Sequence, residues 1–130
     1  MLYAFSREII TPPESIPMAG YGSRTAPSAG VYDELYVRCL MLSDGAKRIL
    51  IIALDICHVS RVFARIIKET IGQEYGLKPE EILVHAIHTH AGPDTSLFNE
   101  EPARRGVVGR YMDMLREKVL LCVRGALNSP

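Results

Sequence analysis

The sequence has no excess charge of either sign: 15 Lys+Arg stand against 15 Asp+Glu among 130 residues, and the pI is near 6.9. A chain without a basic field has nothing to hold a phosphate backbone or an acidic membrane surface, which argues against nucleic acid as a main partner. Long apolar runs are missing too. The longest, Ile49 to Leu54, falls far short of the ~20 residues that span a bilayer, so no transmembrane segment is expected. The opening stretch from Met1 to Glu8 lacks the basic start, apolar stretch and small-residue cleavage site of a signal peptide. The expectation is therefore a cytoplasmic protein, or an exported one whose leader has been removed.

Cysteine is scarce and unpaired. Cys39, Cys57 and Cys122 are odd in number, widely spaced and without a Cys-x-x-Cys, which fits neither a disulfide framework nor a thiolate zinc motif and predicts reduced core residues. There is no Gly-x-Ser-x-Gly elbow, no phosphate-binding glycine loop ending in Lys-Ser/Thr and no His-Glu-x-x-His helix, so serine-hydrolase and nucleotide-binding readings fall away. What is present is the make-up of one globular domain, 48% hydrophobic and 23% charged. At this length roughly two-thirds of the extended-chain surface is buried on folding, enough for a core.

Glycine and proline crowd the early part of the chain, at Pro12, Pro13, Pro17, Gly20, Gly22, Pro27 and Gly30. That stretch reads as a long loop, a kind that is usually functional or mobile. Before it, Leu2 to Ile10 alternates loosely as a short strand, stopped where Pro12 and Pro13 remove two backbone donors. Leu35 to Leu42 and Ile49 to Leu54 flank the turn chemistry of Ser43-Asp44-Gly45-Ala46 and predict a β-hairpin. The second arm is apolar on both faces, the mark of a strand buried between layers, and it ends at the carboxylate of Asp55. The pairs Val62/Phe63, Ile66/Ile67 and Thr70/Ile71 predict an amphipathic helix between Ser60 and Tyr75, with Ser60 as its cap and Gly76 at its end. A second buried strand, Ile82 to Ile87, completes a βαβ unit. After a loop from Ala91 to Gly106, a stripe of Tyr111, Leu115, Val119, Cys122 and Ala126 defines a final helix. The fold class expected is α/β: a mixed sheet with a β-hairpin, a βαβ unit and helices packed on the sheet.

The segment with most chemistry is His85-Ala86-Ile87-His88-Thr89-His90-Ala91-Gly92-Pro93-Asp94, at the carboxyl end of the second buried strand, the edge where open α/β sheets place their ligands. Strand alternation predicts that His88 and His90 point one way and His85 the other, so that two imidazoles converge. Such a pair can share a divalent ion, or one ring can bind it while the other holds its water; exposed loop histidines are the competing reading. Gly92-Pro93 is expected to turn the chain and open space above the rings. His58 reads as a solvated loop histidine, and Asp94 either as a second carboxylate near the pair or as a turn residue. In the early loop, Gly20 and Gly22 beside Tyr21 and Arg24 suit a backbone packed close to a ligand, with the arginine available for an anion or carbonyl; a structural crossover loop is the alternative.

Five separated pieces fit one family together: Ile10-Thr11-Pro12-Pro13, Met18-Ala19-Gly20-Tyr21-Gly22, Gly30-Val31-Tyr32-Asp33-Glu34-Leu35, Leu54-Asp55 and His88-Thr89-His90-Ala91-Gly92-Pro93. Through them the chain resembles the amino-terminal part of the neutral/alkaline, non-lysosomal ceramidases. The resemblance implies a Zn2+-dependent amidase that splits the N-acyl bond of a sphingoid lipid, with a ceramide-like lipid amide as partner. It implies that His88 ligates zinc and that His90 lies beside the metal-bound water as the catalytic helper; Tyr21 and Arg24, from the composition of the early loop, are the candidate substrate-binding residues. It also implies further ligands, a second His, a Glu and a Tyr, far downstream of the His-Thr-His motif. The chain departs from the family at Tyr32-Asp33-Glu34, where His-Asp-Pro is common. Residues 1–130 are accordingly expected to be a single domain, an amino-terminal fragment of a longer ceramidase-like catalytic domain with an incomplete metal site and a tendency to form homo-oligomers. The alternative is a non-enzymatic or oligomerising α/β domain that retains a remnant site. A third and weaker reading is another metal hydrolase with an early His-x-His, such as a TIM-barrel amidohydrolase, a barrel that 130 residues do not build.

Overall fold

The β-branched runs and the two helical stripes assemble into one sheet with its helices sharing a core, in a computed structural model that describes residues 1–96 and 106–128. The strands are β1 (Leu2–Ile9), β2 (Tyr36–Ser43), β3 (Arg48–Leu54) and β4 (Ile82–Ala86), with helix α1 (Arg61–Tyr75) between β3 and β4 and helix α2 (Gly106–Leu127) after them. Sheet order follows chain order; β1, β2 and β3 are antiparallel neighbours and β4 joins β3 in parallel. The hairpin and the βαβ unit are therefore both present, in a mixed sheet.

Local chemistry sets the boundaries. In the β2–β3 turn, Asp44 Oδ1 accepts from the backbone N–H groups of Ala46 and Lys47 at 2.9 and 2.7 Å, the Asx geometry that closes a tight turn. Ser60 Oγ accepts from Phe63 N at 3.1 Å and caps α1. Gly76 ends α1 in the left-handed conformation at φ 69°, its N–H returned to Gly72 O.

Alternation then decides what is buried. Val37 and Cys39 of β2, Leu50, Ile52 and Leu54 of β3 and Ile82 of β4 share one core with Phe63, Ile67 and Ile71 of α1 and with Tyr111, Leu115, Val119, Cys122 and Ala126 of α2. Each large aliphatic side chain sealed there contributes about 1.5–3 kcal/mol. Helix α2 lies along β1 and β2; its Tyr111 hydroxyl donates to Ile10 O at 2.9 Å, and Ser6 Oγ of β1 bonds to Cys122 O. Burial pushes the Cys39 thiol up to about 12 and raises those of Cys122 and the Tyr111 phenol as well.

The two-sided apolar pattern of β3 is not matched by two layers. The opposite face carries the registered row Phe5, Leu40, Ile51, Leu83 and beside it Tyr3, Leu42, Ile49, with Phe5, Ile49 and Leu83 about half exposed at 55%, 50% and 52%. Among the described residues no helix lies on this face, and none is long and apolar enough to cross a membrane.

Candidate metal centre

Parallel pairing of β3 and β4 puts their carboxyl ends at one edge of the sheet, and backbone bonds continue the pairing beyond the strands: Ile87 N donates to Leu54 O at 3.0 Å and His88 N to Ile56 O at 3.1 Å. This brings Cys57 beside His88. The His88 Nδ1 lies 2.8 Å from Cys57 O and 3.6 Å from Cys57 Sγ. A carbonyl can only accept, so Nδ1 carries the proton and Nε2 presents its lone pair.

The two imidazoles do converge, with ring centroids 5.0 Å apart, but not for the reason that alternation suggests. Strand β4 ends at Ala86, before Ile87, and His88 adopts a positive φ of 69°. Left-handed backbone at a non-glycine residue, not the pleat, swings its ring toward His90. One donor atom from each of Cys57, His88 and His90 lies within 4.8 Å of the others. Cys57 is 7% exposed, as a core residue would be, yet its sulfur faces these rings. The sequence offered no spacing signal for it; the signal is its place three residues beyond a parallel strand end, opposite the histidine segment.

The early loop builds the other wall. Tyr21 meets the His90 ring edge-on at 5.2 Å, and Arg24 stacks on Tyr21 at 4.9 Å. Arg24 Nη1 donates to the carbonyls of Ala19 and His90, both at 3.2 Å, so part of the guanidinium braces the His90 backbone. The structure thus brings Tyr21, Arg24, His88 and His90 into one cluster. Gly92 and Pro93 border a cavity of about 330 Å3 together with Met18, Thr89 and Ala91, and they also clamp the early loop onto the histidine segment: Gly92 O accepts from Ala19 N at 3.0 Å and Pro93 bridges to Met18.

Asp55, His58 and Asp94 are otherwise engaged. The carboxylate of Asp55 accepts from Tyr36 N at 2.9 Å and from Arg38 Nη1 at 2.6 Å, tying β3 to β2. Asp94 Oδ1 accepts from Ser96 N at 3.1 Å and from its hydroxyl, as a turn residue does. His58 is exposed, and its carbonyl accepts from Thr95 Oγ1 at 3.0 Å. Beside this cluster a cleft of about 370 Å3 is lined by the early loop, including Tyr21 and Arg24, and by Cys57, His58, Asp94 and Ser96.

Two imidazoles and a thiol form a nitrogen and sulfur donor set of the kind that zinc-class cations take. The bond from His88 Nδ1 to a backbone carbonyl is the support that orients ligating histidines. The residues present therefore fit such an ion.

Comparison with known proteins places the chain in a family. Residues 5–109 match the family described as neutral/alkaline non-lysosomal ceramidase, N-terminal. Neutral ceramidase 1 of Arabidopsis thaliana is 29% identical over 91 residues, and neutral ceramidase 3 of the same plant is 30% identical over 91; each alignment covers 68% of this chain and 12% of the relative. Among solved structures, neutral ceramidase from Pseudomonas aeruginosa superposes with a TM-score of 0.79 at 18% identity, over 96% of this chain and 21% of that one. The chain thus spans about an eighth of the length of the curated relatives that it matches.

Proposed function

The chain belongs to the neutral/alkaline non-lysosomal ceramidase family, and on that premise we propose that it forms the amino-terminal part of a zinc-dependent amidase centre acting on the N-acyl bond of a sphingolipid or related lipid amide. Family membership supports hydrolase chemistry of the ceramidase kind; the lipid substrate, the identity of the metal as zinc and the residue roles are this reading's own. The observation that carries it is the meeting of His88 and His90 at the carboxyl edge of the parallel strands.

In this reading His88 holds the ion through Nε2 while the Cys57 carbonyl fixes its ring. His90 orients a water at the amide carbon or relays its proton. Tyr21 and Arg24 border the substrate side, with Arg24 also securing the His90 backbone. When bound, the zinc supplies Lewis acidity at the amide carbonyl and lowers the pKa of water toward neutrality. Further ligands belong to sequence downstream of the motif, so the 130 residues alone carry a corner of the catalytic centre.

The test is zinc content by elemental analysis beside hydrolysis of an N-acyl sphingosine in detergent micelles. Zinc lost in His88→Ala and hydrolysis near background for the 130-residue chain are expected. Absence of zinc above background in the wild type overturns the metal reading; turnover abolished by His88→Ala overturns the claim of an incomplete centre.

The bare apolar row Phe5, Leu40, Ile51, Leu83 favours a second reading, an oligomerising domain with a remnant site. It is distinguished by self-association without stoichiometric zinc.

A further inference from the structure

The cavity of about 330 Å3 bordered by Gly92 and Pro93 has no part in the proposed function. It forms where three pieces of chain meet: Thr11 and Pro12 after β1, Gly30 to Leu35 before β2, and Thr89 to Pro93 of the histidine segment. Thr89 and Ala91 are the two neighbours of His90 in sequence, and Met18 lines both this cavity and the cleft beside the cluster. We propose that the cavity is a binding site for a long-chain primary amine, with the hydrocarbon in the cavity and the ammonium against Asp33. The inference deepens the amidase reading and rests on it for the role of the ligand. Amide hydrolysis takes up one water and releases a carboxylate and an amine, and the amine, protonated near neutral pH, is the cationic one of the two products.

The polar groups in the walls are already spent on the protein itself. Thr11 Oγ1 accepts from Leu35 N at 2.9 Å and gives its proton to the Glu34 carboxylate. Ser28 Oγ accepts from Ile16 N at 3.0 Å, and Thr89 Oγ1 from Ala91 N at 3.2 Å. What remains of the lining is chiefly apolar: Pro12, Met18, Val31, Leu35, Ala91 and Pro93. The volume stands at the small end of the ~300–1,000 Å3 usual for ligand sites, which suits one hydrocarbon chain. Each methylene sealed there raises affinity about fourfold. Asp33 is the one charged residue in the lining; it is exposed, and among the described residues no hydrogen bond or ion pair engages its carboxylate. A lone carboxylate beside an apolar cavity favours a cationic head group over a neutral one, and a neutral one over an anion. Main-chain bonds hold the walls, Ile10 N to Leu35 O at 2.8 Å and Ala19 N to Gly92 O at 3.0 Å, so binding does not have to order them.

Decylamine is the probe, titrated calorimetrically below its micellar concentration into the 130-residue chain with a chelator present, which makes the outcome independent of any metal. One equivalent is expected to bind, about fourfold more tightly than nonylamine, with decanol weaker and decanoate weaker still. Asp33→Asn is expected to weaken decylamine by about 2–5-fold, the size of an exposed ion pair, and to leave decanol unchanged. Gly30→Leu is the blocking variant: a Cβ there meets no atom within 4 Å and the backbone is not left-handed, so the leucine enters open space. It is expected to abolish binding of all three probes, with a circular dichroism spectrum like that of the wild type. His88→Ala is expected to bind decylamine as the wild type does, so that this site and the metal centre are read separately. No binding by the wild type, equal affinity for the three head groups, or binding that survives Gly30→Leu as adsorption elsewhere on the apolar surface overturns the amine site and leaves the histidine-based reading standing.

Discussion

Gly20 lies against His90 so closely that a Cβ on it would sit 2.5 Å from His90 Cγ and 2.8 Å from His90 Cα, and its φ is 107°. The glycine of the early loop is thus required twice, by a backbone conformation that side chains resist and by the ring it supports. Gly20→Ala is expected to cost about 1–3 kcal/mol of stability from backbone strain and to displace His90. The measurement is a denaturant melt beside a cobalt titration. An alanine variant of wild-type stability and wild-type metal affinity would show that the loop does not position the histidine.

Thiol reactivity separates Cys57 from its companions. Cys39, its thiol pushed up to about 12 by burial, and Cys122, raised by the same cause, stay protonated and enclosed in the native state. Cys57 lines the cleft and is expected to take iodoacetamide first, as mapped by peptide mass spectrometry, and to be protected by added zinc. Faster alkylation of Cys39, or a rate at Cys57 indifferent to zinc, would contradict the placement of the sulfur at the metal centre.

The same burial fixes a pH dependence. A thiol or phenol whose folded pKa is raised is protonated in the native state at pH values where the unfolded chain has already lost its proton. The unfolded state then binds fewer protons, so stability present below the unfolded value is lost as pH rises past it toward the folded one. For Cys39 that window runs from about 9 to about 12, with a slope of up to about 1.4 kcal/mol per pH unit for a single group. Tyr111, raised by burial as well, adds to the loss from about pH 10 upward. Melting temperatures should fall steadily above pH 9 and less steeply in Cys39→Ala. An unchanged melt across that range would refute the assignment.

Asp55 stands in the sequence at the carboxyl end of a buried strand and is a brace in the structure. Its carboxylate satisfies Tyr36 N and Arg38 Nη1 across the β2–β3 pair, so Asp55→Ala is expected to destabilise by about 1–3 kcal/mol, chiefly by leaving Tyr36 N without its acceptor, since the Arg38 side chain, 38% exposed, regains water. Asp55→Asn, which retains an acceptor for Tyr36 N, should cost less and leave cobalt affinity intact. Lost affinity in a stably folded Asp55→Asn would move the carboxylate into the centre.

Much of the fold was legible because it depends on periods. The stripe Tyr111, Leu115, Val119, Cys122, Ala126 is buried as its 3.6-residue spacing demands, Ser60 caps α1, and the Asp44 turn closes the hairpin. The centre was legible only in part. The meeting of His88 with His90 was expected from alternation, but the strand stops at Ala86 and a left-handed residue makes the turn, which no local pattern announces. Cys57 was hidden for a different reason: its neighbour in space, His88, is 31 residues away, and only the parallel pairing of β3 with β4 joins them. Gly92-Pro93 signalled a bend but not what the bend packs against, here the main chain of Met18 and Ala19.

The uncovered sheet face yields the last expectation. Sheet positions alternate, so a strand with apolar residues at every position needs two partners, and β3 has one: Leu50, Ile52 and Leu54 are sealed under the helices, while Ile49 is half exposed and Ile51 only partly buried. The row Phe5, Leu40, Ile51, Leu83 runs the full width of the sheet, and at its carboxyl side Arg7 and Arg38 stack on Tyr36 at 5.0 and 5.1 Å, so the apolar area is bounded by charge on one side. A contiguous apolar patch with a charged border marks a contact surface. The isolated chain is expected to self-associate through this face at high protein concentration. Phe5→Lys/Leu83→Lys, both at positions about half exposed, should restore a monomer in sedimentation velocity without altering the circular dichroism spectrum, because neither side chain packs in the core and the added ammonium groups repel across the interface. A wild-type chain that sediments as a monomer at every concentration would mean that the partly buried Leu40, Leu42 and Ile51 already shield the face enough, and that the bare strand is tolerated in water.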